Sequence, residues 1–446
     1  MTSVIDERRN APRADGARQR REPLRRGGDV ALTASRVPAR ADGLAVRPRM
    51  RASLSRTTSR ATSRAQATAR HWNSESVLLL GIGGLLTLIG LVFVLSASSV
   101  FSLSTTKSVW GVFLRQLQWE ALGLVVLAAS ATLGFEYLRK GWAVLWGSAV
   151  VLLMLVRFTP LGVTRNGSVR WIGPSSFEIQ PSELAKLAVV TALAHMLSLR
   201  HDFTDWRVAA KYLAPFVLIP VVLVGTQPDL GTTSVIAAAA LAVMFAGNIN
   251  GRWLGCITVG GALLAAFSLH LNEYQWARVT AFIDPQSAAA FHIRRSLAGI
   301  QAGGLFGVGI GASKSKWGFL PNAHTDFIFS VITEEVGLIG ATVVVALFAA
   351  FAVLGVRIAL RAPDRFSRLV AFGITGWIAT QAFANIAAVT GLAPVTGVPL
   401  PFVSQGGTAF VSLMAAMGIL LDIARRGTDR RRTKTPHPSM RRAADG

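Results

Sequence analysis

An all-α, polytopic membrane fold with about ten transmembrane helices is the architecture this sequence predicts. Three observations carry it. Of 446 residues, 51% are hydrophobic and only 15% charged, with a mean hydropathy of +0.45, a composition unlike that of soluble domains. Apolar stretches close to the roughly 20 residues needed to cross hydrocarbon repeat from residue 76 onward. The positive charge gathers at the two ends: residues 1–70 hold 17 Arg against 6 acids, and residues 425–446 hold 8 Lys/Arg against 2 Asp, together +17 of the total +23.

The elements follow in order. Residues 1–75 are rich in Arg, Ser, Ala and Pro without apolar periodicity and are expected to form a disordered, basic cytoplasmic tail, retained because its acids argue against a transit peptide. A membrane domain follows over 76–424. Its spans are expected at 76–98, 117–135, 141–159, 181–199, 208–225, 232–248, 253–271, 331–356, 369–390 and 407–424. Residues 425–446 form a second basic cytoplasmic tail. With the N-terminus inside, the inner loops carry 10 Lys/Arg in 37 residues and the outer loops 10 in 123, the asymmetry of the positive-inside rule. The one long connection, 272–330, is then a large extracytoplasmic loop between helices 7 and 8. It holds an Asp284-Pro285 turn, a short amphipathic helix (FHIRRSLAGIQ) and a glycine run, Gly303 to Gly311, suited to close backbone approach.

Two classes drop out. The middle of the chain, residues 71–424, carries only +6, so the high overall charge does not indicate a nucleic-acid partner. A single cysteine, Cys256, excludes a disulfide framework and is expected to be a small buried hydrophobe.

Ionisable residues in or beside spans are costly and mark cavities or partners. Glu183 and Lys186, at i and i+3, share a helix face and can pair, structurally or toward a substrate. Asp229 in TQPDLGTT either caps the sixth span or faces a ligand. His195 reads as a satisfied polar tip, and Glu334 and Glu335 as acids opening the eighth span. Asp326 is different: it follows His324 by two residues, precedes an apolar run, and lies near Lys314 and Lys316 in sequence. A lone carboxylate among cations does not suit glycoside hydrolysis, which needs a paired acid and base. It suits transfer with a phosphate or pyrophosphate leaving group, where Arg165, Arg170, Lys314 and Lys316 can neutralise charge and one base deprotonates the incoming hydroxyl. No His- or Cys-rich metal spacing and no organic-cofactor motif appears. A divalent cation, Mg²⁺ or Mn²⁺, is nevertheless suspected, held by an Asp and pyrophosphate oxygens.

Five motifs in order, NGSVRWIGP (166–174), QPSELAKL (180–187), QPDLGTT (227–233), KSKWGFLPNAHTDFIFSVITEEVGLIG (314–340) and GVPLPFVSQGGT (397–408), resemble the SEDS family (FtsW, RodA, SpoVE), most closely its actinobacterial division branch. The resemblance covers about residues 76–424. It implies a ten-helix peptidoglycan glycosyltransferase that polymerises lipid II at the outer face of the cytoplasmic membrane during septal synthesis, releasing undecaprenyl pyrophosphate with inversion. A class B penicillin-binding protein and other divisome proteins are the implied partners. By the same resemblance Asp326 is the catalytic base, and Glu183, Lys186, Asp229, Arg170, Lys314, Lys316, His324 and Ser404 are substrate-binding.

The chain departs from the family pattern at three places. Asn322 stands where many members have Glu, which removes a second catalytic carboxylate. Gln405 replaces a common Tyr and Thr408 a final Ser, which leaves the Gly406-Gly407 turn but puts a specific contact at 405 in doubt. A lipid II flippase, a non-catalytic divisome scaffold and a RodA-type elongation enzyme remain as alternatives.

Overall fold

The computed structural model describes residues 72–434 apart from 166–167, 175–176, 200–202, 204, 271–272, 285 and 288–289. The predicted N-terminal tail thus falls almost wholly outside the described residues, whereas the first ten residues of the C-terminal one, 425–434, are described and helical. Apolar helices stand at all ten predicted places: α1 Ser74–Thr106, α2 Gly111–Leu133, α3 Phe135–Phe158, α4 Pro181–Leu199, α5 Trp206–Gly225, α6 Leu230–Ala246 and α7 Gly251–His270. After two short helices, α8 Glu273–Ile283 and α9 Phe291–Gly303, come α10 Ile328–Leu360, α11 Arg365–Val389 and α12 Gly407–Lys434. Among the described residues eight helices are long and apolar enough to cross a membrane, while α6 and the apolar part of α7, Gly251–Ala266, are shorter. This is a multi-pass membrane protein.

Local chemistry sets the helix starts. Asn73 and Ser76 form a reciprocal capping box at α1, with Ser76 N donating to Asn73 Oδ1 at 2.7 Å. Asp364 caps α11 by accepting from Ser367 N and Oγ. Small residues then bring helices together, as lipid-embedded packing requires. A Cβ on Gly123 of α2 would lie 2.7 Å from the Phe410 ring of α12, so that ring packs directly on the α2 backbone. Helices α4, α11 and α12 are buried along most of their length and form the centre, against which α2, α6 and α10 pack.

Two features depart from the sequence expectation. A small antiparallel hairpin, β1 Gly162–Arg165 and β2 Ser168–Ile172, joins α3 to α4 and adds a β element to the helical fold. Residues 272–330 are also more ordered than a loop. They contain the anticipated helix α9, the unanticipated α8, and a 3₁₀ turn at Ser315–Trp317.

The glycine run has a specific use. Gly307 (φ 80°) and Gly337 (φ 74°) let two backbone segments lie face to face, and the second breaks α10. Val308 N donates to Glu334 O at 3.0 Å, Gly309 N to Glu335 O at 3.0 Å and Leu338 N to Gly304 O at 2.9 Å, so carbonyls freed by the break are satisfied. The helical segment that follows Asp326 is thereby tied to the glycine-rich strand ahead of it.

Candidate active site

His324, Thr325 and Asp326 sit in the turn ahead of α10. The turn is made by Asn322, whose positive φ of 56° is tolerated best by Asn among non-glycine residues; its carbonyl accepts from Thr325 N at 3.1 Å and Phe327 N at 3.3 Å. Three donors from elsewhere hold the backbone. Ser404 Oγ donates to Thr325 O at 2.7 Å, Asn385 Nδ2 to Asp326 O at 2.8 Å, and Gln405 N to His324 O at 3.1 Å. Fixed from behind, the Asp326 side chain lines a cavity of about 1060 Å³ that gathers the same ends of α1, α2 and α4, the hairpin, and the 316–326 and 405–409 segments.

Four cations line this cavity: Arg115, Arg170, Arg278 and Lys316. Arg278, on α8, is the nearest in effect to Asp326, because both pack against Gly397: a Cβ there would lie 3.3 Å from Arg278 Nη1 and 3.6 Å from Asp326 Oδ2. Burial pushes the Asp326 carboxyl up to about 6, opposed by the positive charges of Arg278 and Arg170 and assisted by the negative charge of Asp229. A carboxylate near 6 is largely ionised at neutral pH, yet basic enough to take a proton. His324, stacked on Phe101 at 4.8 Å, is pushed down by burial to about 4 and stays neutral.

The other candidates occupy distinct places. Glu183 lines the cavity, and behind it Lys186 Nζ lies 2.8 Å from Glu183 Oε2, 2.9 Å from Gln381 Oε1 and over the Trp377 ring. Arg170 lines the cavity while donating to Pro228 O at 2.5 Å and Ser168 Oγ at 3.2 Å, and pairs with Asp229 at 3.5 Å. Asp229 caps α6 by accepting from Thr232 N and Oγ1, the capping alternative, and is buried rather than among the cavity-lining residues. Ser404 lies behind the site, its hydroxyl spent on Thr325 O. Lys314 is exposed and not among the cavity-lining residues, whereas Lys316 lines it. The Arg165 side chain is outside those described.

Three expectations are corrected. Glu334 and Glu335 do not open the eighth span: α10 starts at Ile328, and both acids are buried beyond its first turn. Glu334 accepts from Ser313 Oγ at 2.6 Å and Lys314 N at 2.8 Å, while Glu335 accepts from Ser96 Oγ at 2.6 Å and lies 3.8 Å from Lys316 Nζ. They clasp the loop that carries Lys316. Cys256 is exposed on α7, on a face that an apolar membrane helix turns to lipid, rather than buried in protein. His195 is held by stacking on Trp142 at 4.8 Å, with Nδ1 lacking a hydrogen-bond partner, so it is not a satisfied polar tip. Arg115 and Arg278 were not anticipated, although Arg115 stands at the end of an apolar run where an ionisable residue carries functional weight.

Known proteins resemble this chain in sequence and fold. The family model for the cell cycle proteins FtsW, RodA and SpoVE matches residues 76–429. Stage V sporulation protein E of Bacillus subtilis is 36% identical over 359 residues, 79% of this chain and 97% of that protein. A Mycobacterium tuberculosis protein named probable peptidoglycan glycosyltransferase FtsW is 36% identical over 360 residues, 78% of this chain and 67% of its own length. Among solved structures, a peptidoglycan synthase complex that coordinates polymerization and crosslinking contains a chain similar with a TM-score of 0.66 at 27% identity, covering 80% of this chain and 99% of that one. Rod shape determining protein RodA of Thermus thermophilus matches with a TM-score of 0.58 at 27% identity over 78% of this chain and 95% of its own. With the family model matched across the whole membrane domain, this chain belongs to the FtsW/RodA/SpoVE family of cell cycle proteins.

Proposed function

We propose that this protein is a peptidoglycan glycosyltransferase of septal cell-wall synthesis, polymerising lipid II at the outer face of the cytoplasmic membrane. The observation that carries the reading is Asp326: a carboxylate raised to about 6, in a turn held by three donors, at a cavity that four cations line among the described residues. Asp326 removes the proton from the 4-hydroxyl of the acceptor sugar as that oxygen bonds to the anomeric carbon of the donor chain. The donor's bond to pyrophosphate breaks, undecaprenyl pyrophosphate leaves with inversion, and the proton stays on Asp326. Arg115, Arg278 and Lys316 neutralise the departing charge, and so no second carboxylic acid is needed to protonate the leaving group. Asn322, where a second carboxylate would stand, is consistent with that economy.

Among the described residues no three His, Cys, Asp or Glu side chains gather as a metal site. The charges acting most strongly on Asp326 from outside are those of Arg278 and Arg170, and cations do not fit a resident Mg²⁺ or Mn²⁺ ion. A divalent cation enters, on this reading, with the pyrophosphate oxygens of the substrate. The partner is a class B penicillin-binding protein that crosslinks the strands, within the divisome.

Both termini are cytoplasmic and 272–330 extracytoplasmic in this proposal. In a Cys256→Ala background, Ser287→Cys is expected to react with an impermeant thiol reagent in intact cells; labelling only after permeabilisation would contradict the orientation. The activity is tested by lipid II polymerisation with the purified partner complex. Glycan strands from wild type and none from Asp326→Ala are expected. Equal activity of the two would move the assignment to a scaffold or a flippase.

A further inference from the structure

The Gln405 side chain stands at the cavity wall with its Oε1 unpaired. Its neighbours are fully committed: Ser404 Oγ is bonded to Thr325 O, Gln405 N donates to His324 O, and Gly406 N donates to Gln116 Oε1 at 3.3 Å. These bonds fix the position of residue 405 through the backbone and need nothing from its side chain. That side chain lines the same cavity as His324 and Asp326, and its Oε1 is buried with no hydrogen-bond donor. A buried acceptor left unpaired is destabilising, and an apolar side chain of the same length would fill the place at lower cost. The unpaired oxygen is therefore accounted for by a donor that arrives with the ligand.

The chemistry of the acceptor narrows that donor. A carboxamide oxygen is neutral and suits an uncharged N–H or O–H, whereas the diphosphate is matched by the arginines and Lys316. Trp171, half-buried, lines the same cavity and supplies a flat apolar surface beside which a sugar ring can lie. A hydroxyl can rotate toward other acceptors, but an amide N–H has one fixed direction and needs an acceptor once desolvated. We propose that Gln405 is a specificity-determining contact whose carboxamide oxygen accepts the acetamido N–H of an N-acetylhexosamine unit held beside Asp326. The proposal rests on the glycosyltransferase reading above.

The test uses the purified complex with its transpeptidase partner, wild type, Gln405→Met and Gln405→Glu, and two substrates: lipid II, and an analogue whose terminal-sugar acetamide N–H is replaced by an ester oxygen. The Met variant is expected to melt at or above the wild-type temperature, because it removes an unpaired buried polar atom, and to lose on the order of 10-fold in kcat/KM with lipid II. Wild type is expected to prefer lipid II over the ester analogue by a similar factor, the Met variant to show no preference, and the Glu variant, which keeps an acceptor, to recover part of it. Unchanged kcat/KM in the Met variant would overturn the proposal. So would a preference against the ester that persists in it, or a lowered melting temperature with the preference intact. Failure of wild type to polymerise lipid II at all would instead remove the glycosyltransferase reading on which it rests.

Discussion

Asp229 and Asp326 each stand just ahead of an apolar helix, α6 and α10, at the same end of the bundle, and the protein uses them in opposite ways. At the first corner the side chain does the structural work: the carboxylate caps α6 through Thr232 and pairs with Arg170, whose guanidinium also holds the Pro228 carbonyl. At the second the side chains of Ser404 and Asn385 hold the backbone, and the carboxylate is left facing the cavity. A carboxylate tied into a cap and an ion pair cannot be altered without disturbing the fold. One whose loop is fixed by other groups can exchange a proton without loosening the fold.

Changes at each place sharpen the contrast. The largest expected effect is in activity at the loop. Asp326→Asn keeps size and polarity but cannot accept a proton, so turnover should fall by roughly 10²- to 10⁴-fold while lipid II binding changes little. Raising Mg²⁺ or Mn²⁺ should not restore it; recovery of rate with added cation would mean that Asp326 holds a metal rather than a proton.

Next comes stability at the buried pair. Glu183 and Lys186 are almost fully buried and 2.8 Å apart, so Glu183→Gln or Lys186→Met leaves a charge uncompensated and should cost roughly 3–5 kcal/mol in unfolding measurements. The reversed pair Glu183→Lys with Lys186→Glu should regain part of that loss, and stable, active single variants would show that the pair is neither structural nor substrate-facing.

The smallest effect is expected at the first corner. Asp229→Ala should lose roughly 0.5–2 kcal/mol with the helix cap, whereas Asp229→Asn, an equally good capping residue, should lose less. Equal losses in the two would assign the whole contribution of Asp229 to its ion pair with Arg170.

How much of this was legible in the sequence depended on length and polarity. The ten apolar helices were readable because each is a run of mostly apolar residues, eight of them long enough to cross a membrane and α6 and the apolar part of α7 somewhat shorter. The 11-residue α8 was not, since EYQWARVTAFI mixes polar and apolar residues over too short a stretch, and Arg278 was overlooked with it. The hairpin did leave a signal: Asn166-Gly167 stands between VTR and SVRWI, a turn dipeptide flanked by β-branched residues. Glu334 and Glu335 were misplaced because the span was drawn from 331, whereas the helix begins at Ile328, which moves both acids past its first turn. Asp326 and Glu183 could be singled out from cost alone. The backbone tethers from Ser404 and Asn385 join positions 59 to 79 residues apart and could not be read from local pattern.

The proton-accepting role of Asp326 is tested most directly by the pH dependence of kcat/KM for lipid II polymerisation by the wild-type complex. The base must be ionised to act, and burial raises its pKa to about 6, so the rate should rise with the ionised fraction, reach half its plateau near pH 6 and level off above it. His324, held near 4, stays neutral through this range and adds no limb of its own. A profile that stays flat as the pH is lowered from about 8 to about 5 would contradict general-base catalysis by Asp326.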